Sequence, residues 1–222
     1  MLTNQPKICV ALVSDDLSVL DAVTPLADMF EVRIDLIGSG WRKVVQQLKK
    51  PWIACVRKMQ EGGKWRGTDT QKLKILNEAV ELGASIVDIE LNTPKLAGLI
   101  RKTRKHAQVL VSYHNLKETP PLKELKAIVV KQKAVGADIC KIVTTARTFT
   151  DNVTVLQLIP QFSPTTNIIS FAMGSVGQFS RILCPLAGGI FTYASVAEGK
   201  KSADGQLSVK ELRGIYGTLI HD

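Results

Sequence analysis

Aromatic side chains are scarce, at 5% of the 222 residues, and histidine occurs only three times. So few rings leave little for nucleobases to stack on, although the formal charge of +9 invites a nucleic-acid partner. His106 and His221 sit in polar contexts that read as surface, so no histidine-bound metal site is expected and no metal or cofactor is called for. Cys9, Cys55, Cys140 and Cys184 show neither zinc nor disulfide spacing, and three of them lie in apolar runs where Cys behaves as a small hydrophobe. No apolar run approaches membrane-spanning length, and Asp15, Asp16 and Asp21 stand where a secretory signal would be apolar. The expected location is cytoplasmic, with no membrane partner.

What is present describes a globular protein: 45% hydrophobic and 22% charged residues. The length allows one α/β barrel or two small domains, and no stretch reads as a linker, so a single domain over 1–222 is expected. The basic residues fall mainly in predicted helices, among them Arg42, Lys43, Lys72, Lys74, Arg101, Lys102, Lys123 and Lys126. They read as solvated outer faces, and the positive field they create suits a small anionic substrate.

Strand-like runs recur at Ile8 to Val13, Phe30 to Leu36, Trp52 to Val56, Ile86 to Leu91, Val109 to Tyr113, Ile139 to Val143, Ile168 to Ala172 and Ile190 to Tyr193. Segments with helical apolar spacing, such as Thr70 to Leu82 and Pro121 to Val135, lie between them. This alternation predicts a parallel (β/α)8 TIM barrel with its chemistry at the carboxyl ends of the strands. A doubly wound open sheet is the alternative; it calls for a glycine turn after the first strand, where Ser14-Asp15-Asp16 stands.

Two of these runs carry reactive side chains. Alternation puts Leu110, Ser112 and His114 on one face, and Ile139, Lys141 and Val143 on one face of the next run. A lysine inside an apolar strand is costly while charged, and its neutral amine is a nucleophile. The pattern fits a Schiff-base lysine with a histidine acid/base beside it, or a strand-end lysine that snorkels to water. Glu31, Arg33 and Asp35 are expected to share a face, as are Asp88 and Glu90, either as a structural ion-pair network or as functional groups. Arg57 opens a glycine-rich loop that carries Glu61; at a barrel mouth the arginine suits substrate oxygens and the glutamate suits a histidine. Gly174 to Arg181 forms a glycine turn opening a helix, a place suited to anions or simply a tight turn. Residues 194–208 are small and polar, and read as a surface loop or as a lid over the mouth.

In this order and spacing, Val111-Ser-Tyr-His114-Asn115 with Thr119-Pro120, Gly136-Ala-Asp-Ile-Cys-Lys141, Met173-Gly174 with Gly177 and Ser180-Arg181-Ile182, and Ser202 with Gly205-Gln206 closely resemble type I 3-dehydroquinate dehydratase, across nearly the whole chain. The resemblance implies a cofactor-free, Schiff-base-mediated dehydration of 3-dehydroquinate in the shikimate pathway. It implies Lys141 as nucleophile, His114 as the proton carrier and Glu61 as its support. It also implies Glu31, Arg33 and Arg57 around the ring hydroxyls, Arg181 on the substrate carboxylate, and Ser202 and Gln206 in the lid. A homodimer is the assembly considered. Two departures stand out: Ala11 occupies a position where some members use a serine, and little sequence precedes the first strand to form the amino-terminal hairpin of longer members. A class I aldolase sharing the imine, and a nucleic-acid-binding barrel, are the other functional readings.

Overall fold

The apolar runs become eight parallel strands, and helical segments fill each crossover. The structure, a computed structural model, describes residues 5–197 and 202–220. The strands are β1 (Ile8–Leu12), β2 (Met29–Arg33), β3 (Trp52–Cys55), β4 (Ile86–Glu90), β5 (Gln108–His114), β6 (Ile139–Thr145), β7 (Asn167–Met173) and β8 (Thr192–Ser195). Between and after them run α1 (Leu20–Val23), α2 (Ile34–Ile37), α3 (Trp41–Gln46), α4 (Asp69–Glu81), α5 (Leu96–Thr103), α6 (Leu122–Ala134), α7 (Phe149–Leu156), α8 (Leu158–Phe162), α9 (Gln178–Leu186) and α10 (Val209–Leu219). Consecutive strands from β1 to β7 pair with one another and β1 also pairs with β8, in the order β7-β6-β5-β4-β3-β2-β1-β8. Among the described residues β7 and β8 share no ladder, and a bond from the Ile190 N–H to the Ile168 carbonyl, 3.1 Å, spans that seam. The result is the expected (β/α)8 barrel, nearly closed.

Local sequence sets the helix starts. Thr68 caps α4 in a reciprocal box with Gln71, and Ser208 does the same for α10 with Glu211. Helix α6 stops at Gly136, whose φ of 93° is open to glycine at little cost. At the amino-terminal end of the barrel, Arg213 of α10 donates to the carbonyls of Leu26 and Pro6 and pairs with Asp28 at 2.7 Å. Asp28 in turn accepts the Ile8 N–H, so the last helix ties down the entry to β1.

Register decides which side chains meet inside. Leu110, Ser112 and His114 pair with Ile139, Lys141 and Val143, so the two faces expected from alternation coincide. The same parity around the barrel puts Cys9, Met29, Ile53, Ile86, Leu110, Ile139, Ile169 and Phe191 in a bottom layer that is wholly apolar. One inward step higher come Glu31, Cys55, Asp88, Ser112, Lys141, Phe171 and Tyr193. Outward residues such as Val10, Val32, Ala54, Val87, Val109 and Val111 pack beneath the helices in a separate core. The inward-facing polar residues are thus confined to the upper half of one cylinder.

Two strand boundaries and one surface assignment differ from expectation. β2 ends at Arg33 and the chain turns at once into α2, so Asp35 does not share the strand face of Glu31 and Arg33. Instead it reaches back to form a two-pronged ion pair with Arg33, at 3.0 and 2.8 Å. β8 lies two residues later than the run Ile190 to Tyr193 suggested. Lys72 is not on a solvated face: it is buried and paired with Glu90. Among the described residues, no helix is long and apolar enough to cross a membrane.

Candidate active site

The upper inward residues enclose a cavity of about 340 Å³ at the carboxyl ends of the strands. All nine residues singled out from the sequence line it: Glu31, Arg33, Arg57, Glu61, His114, Lys141, Arg181, Ser202 and Gln206. Lys141 stands on β6 at the cavity floor, 4% exposed. Its ammonium donates to Glu31 Oε1 at 3.3 Å, Asp88 Oδ2 at 3.2 Å and the Tyr193 hydroxyl at 3.0 Å. It also lies 4.1 Å from the centre of the Tyr193 ring.

These neighbours set the charge state of the amine, which the sequence left open. Burial disfavours its charge, but Glu31 and then Asp88 outweigh that, and the Lys141 value rises above the ordinary 10.5. The resting lysine is an ammonium, and it must release a proton before it can attack a carbonyl. Asp88 is its counterpart. Burial pushes this carboxyl up, Arg57 and Lys141 pull it down further, and it settles at about 2.

His114 follows on β5, one inward step above the level of Lys141. Burial, then Arg57, Lys141, Arg33 and Arg181, hold its imidazole well below 6.5, so it is neutral at neutral pH. Its Nδ1 lies 2.8 Å from Glu61 Oε2. Burial raises Glu61 to about 7 against the pull of Arg57. When Glu61 is ionised, Nδ1–H donates to it and Nε2 keeps a free lone pair toward the cavity. When Glu61 is protonated, its O–H donates to Nδ1, the ring proton moves to Nε2, and His114 stops being a base.

Arg57 ties this pair to the lower layer. Its Nη2 donates to Asp88 at 2.6 Å and its Nη1 to Ser112 Oγ at 2.8 Å, while Nη1 also lies 3.5 Å from Glu61. The Ser112 Oγ–H in turn donates to Asp88 Oδ1 at 2.6 Å. Glu31, Cys55 and Asp88 bring ligand-type atoms within 4.8 Å of one another. The Lys141 ammonium already serves both carboxylates, and burial pushes the Cys55 thiol up, so a metal would have to displace a covalently anchored cation.

Arg181, on α9 after the Gly174 turn, is 2% exposed and differs from the other cations. Among the described residues no carboxylate oxygen lies at ion-pair distance from it; its Nε is unpaired, and one Nη2 bond reaches the Asp204 carbonyl at 3.2 Å. The guanidinium stacks 4.5 Å from the Phe171 ring. Burial lowers it to about 10 against the pull of Asp204, still charged at neutrality. Such a fork is short of one anion.

Over the mouth, Ser202 N–H and Oγ–H both donate to Gln206 Oε1, at 2.8 and 3.0 Å. Gly174 N–H donates to the Asp204 carbonyl at 3.2 Å. Gly205, with φ 73°, packs so closely that a Cβ there would lie 2.1 Å from the Gly174 oxygen. Of the expected lid over 194–208, residues 198–201 lie outside the described residues, as does His221. Sequence reading missed Tyr193 as a contact of the lysine, because a tyrosine at a strand end carries no signal of what lies across the barrel. Ala11 is buried on β1 in register with Glu31 and brings no hydroxyl there.

Residues 8–222 match the family described as Type I 3-dehydroquinase. A 3-dehydroquinate dehydratase of Dehalococcoides mccartyi is 39% identical over 196 residues, covering 88% of each chain. One of Coxiella burnetii is 32% identical over 223 residues, covering 97% of this chain and 94% of its own. The crystal structure of 3-dehydroquinate dehydratase from Geobacillus kaustophilus superposes with a TM-score of 0.87 at 23% identity, over 97% of this chain and 91% of that one, a likeness of fold. With its length and its order of residues accounted for by these relatives, the chain belongs to the type I 3-dehydroquinase family.

Proposed function

We propose that this chain dehydrates 3-dehydroquinate to 3-dehydroshikimate on the way to chorismate and the aromatic amino acids, with Lys141 as the Schiff-base nucleophile. The observation that carries the reading is a buried amine between two carboxylates with a neutral imidazole on the adjacent strand. Lys141 sheds one proton and attacks the ring ketone; loss of water leaves a protonated imine. His114 Nε2 takes a proton from the carbon beside the imine, and the electron pair is held as an enamine. The hydroxyl one carbon further leaves as water with the proton that His114 returns. Water then hydrolyses the conjugated imine and frees Lys141.

Each remaining side chain has a task in this scheme. The unsatisfied Arg181 fork takes the substrate carboxylate, a two-pronged role that Lys fills poorly. Glu31, Arg33 and Arg57 meet ring hydroxyls, and Glu61 holds the tautomer of His114 and steadies the imidazolium. Ser202 and Gln206 form the lid. The test is borohydride reduction in the presence of 3-dehydroquinate followed by peptide mass spectrometry. An adduct on Lys141 is expected, and an adduct elsewhere, or none, removes the nucleophile.

We further read 1–222 as one barrel domain, since a single sheet takes in strands from β1 to β8. The protein is proposed to be cytoplasmic, where four buried free thiols stay reduced. It is also proposed to form a homodimer through α7 and α9, whose Phe149, Val153, Phe179 and Leu183 are 58%, 45%, 52% and 40% exposed, with the Phe149 and Phe179 rings 5.2 Å apart. Sedimentation of Phe149→Glu against the unmodified protein checks this, and an unchanged mass for both would rule the face out.

A further inference from the structure

Helix α4 buries Lys72, Leu76 and Ala79, a spacing that forms one helical face. An apolar residue would be ordinary at the first of these positions; a lysine 1% exposed is not. Its Nζ makes a close ion pair with Glu90 Oε2, outside the substrate cavity. Glu90 ends β4, accepts the Lys58 N–H at 3.0 Å and lies 3.4 Å from Arg57 Nη1. That same Nη1 is 3.5 Å from Glu61, which bonds His114. Lys72 is therefore the outer end of a charge chain whose inner end is the imidazole.

The balance of charge in the mouth makes that outer end matter. Setting aside Arg181 and the Asp204 beside it, the cations are Arg33, Arg57, Lys72 and Lys141, and the acids are Glu31, Asp35, Asp88, Glu90 and Glu61. One acid is in excess, and Glu61, poised at about 7, shares the surplus proton. We infer that Lys72 is a positioning residue for the reaction: by neutralising Glu90 it leaves Arg57 free for Glu61, and so keeps His114 in the tautomer that accepts a proton. Without it Arg57 is drawn to Glu90, Glu61 keeps its proton, and the ring nitrogen facing the cavity carries hydrogen. The groups that face Glu61 are Arg57 of β3 with Lys58 beside it, Asp88 and Glu90 of β4, His114 of β5 and Lys72 of α4. Burial raises Glu61 most, Arg57 lowers it, Glu90 and Asp88 raise it, and Lys72 lowers it.

The inference rests on His114 as the proton acceptor, so its test reads the coupling both with and without turnover. Lys72→Met, Glu90→Gln and the double variant are compared in the pH dependence of kcat. The step that Glu61 ionisation imprints on the His114 ring-nitrogen shifts is followed by NMR in the unliganded protein. Lys72→Met is expected to move that step up by about one pH unit and to cut kcat at pH 7 about fivefold, with KM changed less than about twofold. Glu90→Gln moves the step down, and the double variant returns it toward its original place. Should Lys72→Met not fold, the Glu90→Gln and double variants still differ only at residue 72. An unmoved step in both, with kcat lowered evenly at every pH, would mean that Lys72 only packs. A moved NMR step with an unmoved kcat profile would uphold the coupling and remove His114 from its role as base.

Discussion

Replacing Arg181 with methionine should strengthen the empty protein and disable it as an enzyme. The guanidinium is buried, and although Asp204 pulls the other way, burial brings it down from the ordinary arginine range to about 10. At roughly 1.4 kcal/mol per pH unit that fall corresponds to about 3 kcal/mol. Because the folded value is the lower one, the cost is fully present wherever the group is charged, well below pH 10. Methionine gives up the stack on Phe171, worth about 1 kcal/mol, so the net gain is about 2 kcal/mol. For a chain of this size that raises Tm by roughly 4 to 8 °C. Substrate loses two charge-assisted bonds of about 1.5 to 3 kcal/mol each, so kcat/KM should fall by roughly two to four powers of ten, mostly through KM. Calorimetry of the unliganded variant and steady-state formation of the conjugated enone, followed by its ultraviolet absorbance, measure the two effects. A variant that melts lower and keeps its KM would show that Arg181 is a structural cation and no clamp.

His114→Ala should still form the imine slowly and leave an intermediate visible by intact-mass spectrometry; rapid product release would refute its role. Because Glu61 ionises at about 7 and only its ionised form leaves a lone pair on His114 Nε2, kcat should fall as pH drops through 7. Glu61→Gln should remove that limb and lower the plateau about ten- to thirtyfold, the difference between a charged and a neutral acceptor. Gly205→Ala places a Cβ 2.1 Å from the Gly174 oxygen at a left-handed φ of 73°, so KM should rise several-fold while Tm changes little. An unchanged KM would separate that contact from closure of the mouth.

Most of the frame was legible because a strand buried on both faces is a run of apolar residues, and parity then fixes what points inward. Lys141 and His114 followed from parity alone. Asp35 did not, since alternation cannot reveal that the backbone curls after Arg33. The charge state of Lys141 was not legible, because desolvation is visible in its own strand, whereas Glu31, 110 residues away, is not. Lys72 looked solvated because Gln71-Lys72-Leu73-Lys74 reads as a mixed surface turn, although its spacing to Leu76 and Ala79 already put it on the inner stripe.

The oily layer beneath Lys141, from Cys9 round to Phe191, makes the barrel a cup rather than a tube. A charged ring cannot pass through it, and neither can the water that each turnover expels and then needs back. Arrival of the ring and departure of product therefore share one rim, where the Gly174 and Gly205 turns meet. With the substrate held on Lys141 as proposed, traffic over that rim is sequential: a second acid waits until the first has left the amine.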